Sequence, residues 1–409
     1  MRVPDAGIPD SEIVNGDGFG GRTTRGATHT QNGRRRIAIA AGGTAGHVYP
    51  AWAVAEAYSR IDGPVEIVFF APEENAEQRL LEDRGYQLKR IEASPMVGVS
   101  WPRKVIGVLG LSRSIVRARA MLKAAGVDVA LGFGGYASVA LLTAAWSLGL
   151  RTAIFESNCS AGLANRILGR FVDRIYLVHP DAQADFPAAR CLVIGNPVRP
   201  DVALMGGEQR RLPPDPARVR ILVTGGSLGS SFLNQRTPEL LSPLKHEGFE
   251  LEVYHQTGHG DPELVRELYQ REGISARTTP YIEDIAAAYR WADFAIACAG
   301  SATLSELATA GIPALVVPAL TAARNHQLSN ARAFAATTEC LWATEGNWNP
   351  TELSGKIVQL LRSPPEWLKA SRKMRRATTP GALDALIEDW YGFLSTQSSR
   401  RRNSQPSIR

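Results

Sequence analysis

The sequence predicts an α/β protein made of two Rossmann-like, doubly wound domains that face a central cleft. An apolar run at 36–41 ends in the glycine-rich turn 42–47 and leads into a segment with helical spacing. The same order of strand, paired glycines, hydroxyl residue and helix recurs at 220–232. The length of 409 residues is enough for two separate hydrophobic cores.

Composition argues against a membrane-spanning protein, a disulfide-rich protein and a metal-binding protein. The chain is 44% hydrophobic and 21% charged, and no apolar run reaches the roughly 18 residues that indicate a membrane span. The four cysteines form no Cys-x-x-Cys pair, and His255 and His259 lie in a glycine-containing segment without a Glu partner. No metal site or disulfide framework is therefore predicted. The net charge of +6 is spread along the chain, so it favours anionic partners only weakly, and we expect no nucleic-acid partner.

Domain boundaries follow from shifts in composition. The first 33 residues are rich in Gly, Thr, Asp and Asn and lack the apolar core of a signal peptide, so a disordered extension is predicted. The other predicted parts are a first domain, a Pro-rich linker, a second domain, closing helices and a disordered tail, at 34–200, 201–218, 219–365, 366–396 and 397–409.

The first glycine turn places Thr44 and His47 at the carboxyl edge of its strand. Glycines let the backbone approach a ligand, and the N terminus of the next helix directs N–H groups towards an anion. The alternative is a structural turn with a partly buried histidine. The second copy at 225–229 favours a shared ligand cleft.

The segment 101–123 carries six basic residues and no acidic one. Its apolar residues are expected to share one helical stripe, with Arg113 and Arg117 one turn apart on the flank. This pattern favours an anionic membrane surface, and the candidate contacts are Trp101, Arg103, Lys104, Arg113, Arg117 and Trp146. The alternative is an ordinary surface helix whose stripe lies in the domain core.

The remaining pattern alternates strands and helices. Strands are predicted at 65–70, 86–91, 127–133, 152–155, 175–178, 192–194, 251–255, 294–297 and 314–317. Helices are predicted at 75–84, 262–271, 281–289, 353–361 and 383–393, with a loop around 324–327.

The strand at 294–297 enters a third glycine turn, followed by Glu306 in the first turns of a helix. A carboxylate there is placed to accept hydrogen bonds from a diol such as a ribose, and the alternative is a solvated or capping Glu.

These motifs, in this order, resemble those of the MurG family of lipid-linked peptidoglycan glycosyltransferases. The resemblance covers about 36–364, and each motif is weak alone while the ordered set is specific. It is carried by Gly-Gly-Thr-Ala-Gly-His (42–47), Gly-Gly-Tyr (134–136), Glu-x-Asn (156–158), Gly-Asn-Pro-Val-Arg (195–199), Gly-Gly-Ser-x-Gly (225–229), Tyr-Ile-x-Asp (281–284), Gly-x-x-Thr-x-x-Glu (300–306) and His-Gln (326–327). It implies a GT-B architecture with the nucleotide sugar mainly on the second domain and the acceptor on the first.

The resemblance implies a donor site for UDP-N-acetylglucosamine. Glu306 would hold the ribose hydroxyls, Gln327 the sugar, and Ser227 with the loop amides the diphosphate. The implied lining is Thr44, Ala45, Gly46, Asn158, Arg199, Ser227, Ile282, Ser301, Ala302, Thr303, Leu304, Ser305, Glu306 and Gln327. The implied acceptor is the 4-hydroxyl of a muramyl-pentapeptide linked to undecaprenyl diphosphate. The enzyme would act peripherally at the cytoplasmic face of the bacterial membrane.

The chemistry of the implied reaction assigns roles. Family members turn an α-linked UDP sugar into a β-1,4 bond, so the configuration inverts in one displacement. A base must take the acceptor proton, and the departing UDP must be stabilised. His47, with an unperturbed pKa of about 6.5, is the expected base, and Tyr136 beside the glycine pair of the same crevice is the second catalytic candidate. Arg199, Ser227 and backbone N–H groups would stabilise UDP, and no metal cofactor is expected.

Several residues depart from the family pattern. Ala45 stands where Gly is usual, Leu228 where Gln is usual, Cys298 where Arg is common and Arg324 where acidic residues are typical. These departures leave open a related transferase with another UDP sugar or acceptor, or a UDP-sugar epimerase. More distant alternatives are a non-catalytic membrane-bound scaffold and an NAD-dependent oxidoreductase, which would need a Gly-x-Gly-x-x-Gly fingerprint.

Overall fold

The computed structural model describes residues 35–42, 45–60, 65–72, 76–91, 101–207, 212–319, 326–379 and 381–395. Thr44, Arg324, the predicted extension 1–33 and the predicted tail 397–409 lie outside these ranges. For Ala45, Trp101, Arg103 and Lys104 only the backbone is described.

The first lobe is a seven-stranded parallel sheet in the order β3-β2-β1-β4-β5-β6-β7. Its elements are β1 (Arg35–Ala40), α1 (Ala45–Arg60), β2 (Val65–Ala71), α2 (Ala76–Asp83), β3 (Gln87–Arg90), α3 (Trp101–Ala125), β4 (Val129–Gly132), α4 (Gly135–Ser147), β5 (Arg151–Glu156), α5 (Leu163–Leu168), β6 (Arg174–Leu177) and β7 (Cys191–Val193). After β7 the chain continues into α6 (Pro200–Ala203), whose Val202 is buried in the core of the second lobe. The strand order reverses between β1 and β4, where Ala40 pairs with Gly132. The crevice of a doubly wound sheet lies at this switch point.

The second lobe is a six-stranded parallel sheet in the order β10-β9-β8-β11-β12-β13. Its elements are β8 (Val219–Thr224), α7 (Ser231–His246), β9 (Leu251–Gln256), α8 (Pro262–Arg271), β10 (Ser275–Thr279), α9 (Ile285–Trp291), β11 (Phe294–Cys298), α10 (Ser301–Ala310), β12 (Ala314–Val317), α11 (His326–Thr338), β13 (Leu341–Trp342), α12 (Pro350–Arg362) and α13 (Pro364–Arg376). Its switch point lies between β8 and β11. The two sheets confirm the predicted pair of doubly wound domains.

The two lobes are tied together at the C-terminal end of the chain. Trp367 of α13 is buried in the core of the second lobe. The last helix, α14 (Ala382–Ser395), instead buries Leu386 and Trp390 in the core of the first lobe, where the Trp390 ring contacts Tyr176. The chain therefore crosses between the lobes a second time after α13.

Two predictions at the level of elements were wrong. His326 and Gln327 were expected in a loop, but they begin α11. The apolar residues of α3 do not share one stripe, because Leu122 is buried whereas Leu109 and Val116 are 60% and 68% exposed. Among the described residues, no helix is both long and apolar enough to cross a bilayer.

Candidate functional site

His47 lies in the first turn of α1, at the carboxyl edge of β1. Its Nδ1 is 2.7 Å from the carbonyl oxygen of Gly42, so that nitrogen carries the proton and Nε2 keeps its lone pair. Gly134, with a φ of 105°, lies beside this nitrogen, and a Cβ there would be 2.8 Å from Nε2. Glycine at 134 therefore lets the turn after β4 approach the imidazole.

The surroundings of His47 favour the neutral ring. Burial lowers its pKa below the ordinary value, and His326 lowers it further. The hydrogen bond to Gly42 and the charge of Glu156 oppose this shift without reversing it. Since His326 begins α11, the interaction also brings a histidine of each lobe to the same cleft.

Tyr136, the second catalytic candidate, lies in the first turn of α4. It is partly exposed and follows Gly134 and Gly135, whose φ angles are 105° and 76°. Ser138 of the same turn donates to the carbonyl oxygen of Gly134 at 2.6 Å and so holds the glycine pair. The structure therefore brings the His47 and Tyr136 turns together at the switch point of the first lobe.

Glu156 organises the loop that follows β5. Its buried carboxylate accepts hydrogen bonds from the backbone and side chain of Asn158 and from the side chain of Asn165, at 2.9, 3.0 and 2.9 Å, and from Gly162 N at 3.0 Å. Among the described residues these neutral N–H donors, rather than a cation, satisfy the charge. Glu156 thus fixes the predicted donor residue Asn158, a role that the Glu-x-Asn spacing alone does not reveal.

Asn158 is also connected to the second lobe. Its Oδ1 accepts from Nδ2 of Asn330 at 3.0 Å, and Asn330 Oδ1 accepts from the backbone of Cys159 at 3.0 Å. Asn330 is fully buried on α11 and also donates to the carbonyl oxygen of Ala299. In addition, Ser301 Oγ donates to the carbonyl oxygen of Ser157 at 2.5 Å. The seam between the lobes is therefore polar and hydrogen-bonded.

Arg199 and Glu306 form a buried ion pair in this seam. Arg199 Nε and Nη2 lie 2.6 and 3.3 Å from Oε1 and Oε2 of Glu306, and the Tyr289 hydroxyl donates to Oε2 at 2.9 Å. The Arg199 guanidinium also lies 3.6 Å above the Tyr49 ring, whose hydroxyl contacts that of Tyr281 in the second lobe. Burial lowers the pKa of Arg199, but Glu306, Tyr49 and Tyr289 together exceed this effect and raise the pKa above its ordinary value.

The second glycine turn, 225–229, connects β8 to α7. Gly226 and Gly229 have φ angles of 77° and 73°, and a Cβ on Gly229 would lie 2.2 Å from the carbonyl oxygen of Thr257. Ser230 caps α7 by accepting from Leu233 N. Ser227 is partly exposed at this turn and Leu228 is 54% exposed. The turn therefore offers its backbone to solvent at a helix N terminus, a geometry that suits a diphosphate.

The predicted residues of α10 line its N-terminal turns. Gly300 caps the helix without a side-chain hydrogen bond. Ser301, Leu304 and Glu306 are buried, whereas Ala302, Thr303 and Ser305 are partly exposed. Asn196 donates to Ser305 Oγ at 3.0 Å, which joins the helix to the segment before Arg199.

Gln327 has a structural contact that the sequence did not indicate. Its Oε1 accepts from the backbone of Ala299 and of Ala319, at 3.1 and 2.9 Å, at the ends of β11 and β12. The orientation of its amide is therefore fixed. Ile282, which is also among the predicted donor residues, is buried, and its backbone N–H donates to Oε1 of Gln256.

The candidate membrane residues whose side chains are described lie on α3 and at the end of α4. Arg113 and Arg117 are exposed on α3, close to the exposed Leu109 and Val116. Arg119 donates to the carbonyl oxygen of Ser147, which places the end of α4 and the 55% exposed Trp146 beside α3.

Within the described ranges, no group of three or more His, Cys, Asp or Glu residues is arranged to hold a metal ion.

Comparisons with known proteins agree with this geometry. The models of the glycosyltransferase family 28 N-terminal and C-terminal domains match residues 37–177 and 220–385. A protein of Magnetococcus marinus, the UDP-N-acetylglucosamine–N-acetylmuramyl-(pentapeptide) pyrophosphoryl-undecaprenol N-acetylglucosamine transferase, is 36% identical over 86% of this chain and 95% of its own length. The crystal structure of Acinetobacter baumannii MurG matches with a TM-score of 0.67 and 29% identity, over 88% of this chain and 99% of that one. A UDP-N-acetylglucosamine 2-epimerase with 15% identity and a TM-score of 0.62, over 91% of this chain and 99% of that one, shares the fold alone.

Proposed function

This chain belongs to glycosyltransferase family 28, and we propose that it transfers N-acetylglucosamine from UDP-N-acetylglucosamine to lipid-linked N-acetylmuramyl-pentapeptide. The resemblance to the MurG family is thereby confirmed. The reaction class is hexosyl transfer in peptidoglycan synthesis. The acceptor hydroxyl attacks the anomeric carbon, the C–O bond to the diphosphate breaks, and UDP leaves.

One observation carries the assignment of roles. Tyr49 lies two residues after His47 in α1, and its ring packs on the guanidinium of Arg199, which is paired with Glu306 of the second lobe. Residues two apart on a helix point to different sides, so the link for His47 itself is His326 of the second lobe, whose charge lowers the His47 pKa. The base and the cation–carboxylate pair therefore both lie where the two lobes meet. An inverting displacement needs this arrangement, because the base and the leaving group act on opposite sides of the sugar.

The described contacts support a role for each lobe. On the first lobe, His47 Nε2 is the proton acceptor, because Nδ1 donates to Gly42 and the low pKa keeps the ring neutral. On the second lobe, the turn 225–229 and the N terminus of α7 stabilise the diphosphate, with Arg199 as the nearby cation. Glu306 and Gln327 would orient the ribose and the sugar.

Peripheral attachment to an anionic membrane is part of the same proposal. The acceptor is a lipid, so the first lobe must reach a bilayer surface. The surface formed by Leu109, Arg113, Val116, Arg117 and Trp146 combines exposed apolar side chains with two guanidinium groups. This combination suits an interface of anionic headgroups, where cations attract and apolar side chains insert.

The proposal is tested by transfer of radiolabel. The full chain is incubated with labelled UDP-N-acetylglucosamine and the lipid-linked muramyl acceptor, and the lipid fraction is counted. We expect label in lipid only when both substrates are present, with UDP-N-acetylgalactosamine and UDP-glucose as poorer donors. Absence of transfer by folded protein, faster transfer from another donor, or epimerised UDP sugar formed without acceptor would overturn the assignment.

A further inference from the structure

Gln256, the last residue of β9, connects two parts of the second lobe. It is buried, with 4% of its surface exposed. Its Nε2 donates to the carbonyl oxygen of Gly226 at 2.7 Å, and its Oε1 accepts from the backbone N–H of Ile282 at 3.0 Å. One planar amide thus spans from the turn 225–229 to the segment that precedes α9.

Both contacts hold backbone groups that define the local geometry. The carbonyl oxygen of Gly226 also accepts from Gly229 N at 3.0 Å, so Gln256 binds the group that closes the glycine turn. On the other side, Thr257 N and Gly258 N donate to the carbonyl oxygens of Thr279 and Pro280, at 2.8 and 3.0 Å. The side chain of Gln256 extends this run of backbone pairing to Ile282.

The carboxyl end of β9 is also fixed by buried hydrogen bonds to the helices α7 and α8. His255 is fully buried, and its ring nitrogens lie 2.9 Å from the Tyr269 hydroxyl and 3.0 Å from Asn234 Oδ1. Asn234, on α7, also donates to the carbonyl oxygen of Thr257 at 3.0 Å. Because α7 starts directly after the glycine turn, these bonds fix the strand end to the helix that begins at that turn.

We infer that Gln256 is a positioning residue that sets the distance between the diphosphate half of the donor site, at 225–229, and its nucleoside half, where Ile282 lies in the same buried cluster as Leu304 of the helix that carries Glu306. The inference rests on the proposed function, because it assigns these two halves to one nucleoside diphosphate. The ligand class that depends on Gln256 is therefore one that occupies both halves at once. A ligand that occupies only the nucleoside half does not depend on it.

The chemistry of the side chain allows a matched pair of substitutions. Gln256→Met keeps the length and removes both hydrogen bonds. Gln256→Glu keeps an acceptor for Ile282 N–H and replaces the donor to Gly226 with a carboxylate oxygen facing a carbonyl oxygen. Gln270→Met, at an exposed position on α8 of the same lobe, is the control.

The test compares the dissociation constants of UDP and of uridine by calorimetry. In Gln256→Met we expect the UDP constant to rise about tenfold or more, and the uridine constant to change by less than about threefold, since only UDP needs both halves aligned. Gln256→Glu should show the same selective loss, and Gln270→Met should bind both ligands like the parent chain. A thermal melt establishes that each variant is folded.

The outcomes separate the two proposals. If the parent chain binds UDP and a folded Gln256 variant binds it equally well, or loses uridine to the same extent as UDP, the positioning role is wrong while the proposed function stands. If the parent chain binds no UDP, the proposed function itself fails. Should Gln256→Met not fold, Gln256→Glu alone carries the comparison.

Discussion

The Nε atom of Arg199 lies 2.6 Å from Oε1 of Glu306, so the carboxylate expected to hold a ribose is already paired with a cation. A carboxylate offers about four lone-pair sites, and Arg199 and Tyr289 together occupy three of them. One site is left for a ribose hydroxyl while the pair stays intact. The pair also holds the guanidinium on the Tyr49 ring, between the two lobes.

The first prediction concerns the stability of this pair. Arg199→Met and Glu306→Gln should each destabilise the protein by about 3–5 kcal/mol, because each leaves a buried polar or charged group without its partner. The double variant should be less destabilised than the sum of the two, because it removes both charges. Urea unfolding of the three variants and the parent chain measures the coupling. Additivity to within about 0.5 kcal/mol would show that the two side chains do not interact.

The second prediction concerns His47. His47→Ala should lower turnover by a factor on the order of 10² or more, because no base then takes the acceptor proton, while UDP affinity stays within about twofold. Steady-state rates and UDP calorimetry on the same preparation measure both quantities. Near-normal turnover in the variant would remove His47 from the role of base.

The pH dependence of turnover is a third prediction. A base acts in its deprotonated form, and the pKa of His47 is lowered by burial. The rate kcat/KM should therefore be level from pH 7 to pH 8 and fall only on the acid side of the ordinary histidine pKa of about 6.5. A profile that still rises between pH 7 and pH 8 would contradict a neutral His47.

The carboxyl-edge turns were the part of the site that the sequence predicted well. Each turn is a local pattern of strand, glycines and helix, so its position needs no knowledge of distant residues. The contact of Asn330 with Asn158 and that of Tyr289 with Glu306 join residues from different elements. No periodicity indicates such pairs.

The edge strand β10 and the outward faces of α3 were not predicted from sequence patterns. The strand β10 reads Ser-Ala-Arg-Thr-Thr and has no run of apolar residues, because it lies at the edge of the sheet. The helix α3 has 25 residues, and its apolar side chains divide between the core, as for Leu122, and the surface, as for Leu109. Composition identified its basic character but not which residues face outward.

The fourth prediction concerns the seam between the lobes. Asn330→Ala leaves the backbone N–H of Cys159 and the side chain of Asn158 without a hydrogen-bond partner from α11. We expect a loss of about 1–3 kcal/mol of stability and weaker UDP binding, since each buried unsatisfied group is costly. Thr337→Ala, at an exposed position of the same helix, is the control. Equal melting temperatures and UDP affinities for the two variants would argue against a role for the seam.

The fifth prediction concerns membrane attachment. Arg113→Gln with Arg117→Gln should weaken binding to vesicles containing phosphatidylglycerol by about 30-fold at low salt, since each basic residue near an anionic surface contributes about 1 kcal/mol. Co-sedimentation measures the bound fraction, with Arg266→Gln on the second lobe as the control. Unchanged binding by the double variant would move the membrane surface elsewhere on the molecule.

A crystal structure of the full chain with UDP-N-acetylglucosamine tests the central claim most directly. We predict that the nucleotide lies between the turn 225–229, Ile282 and Glu306, with its anomeric carbon about 6 Å from His47 Nε2. That spacing leaves one acceptor oxygen about 3 Å from each. A nucleotide bound away from the second glycine turn, or an anomeric carbon more than about 10 Å from His47 with both lobes in contact, would contradict the account.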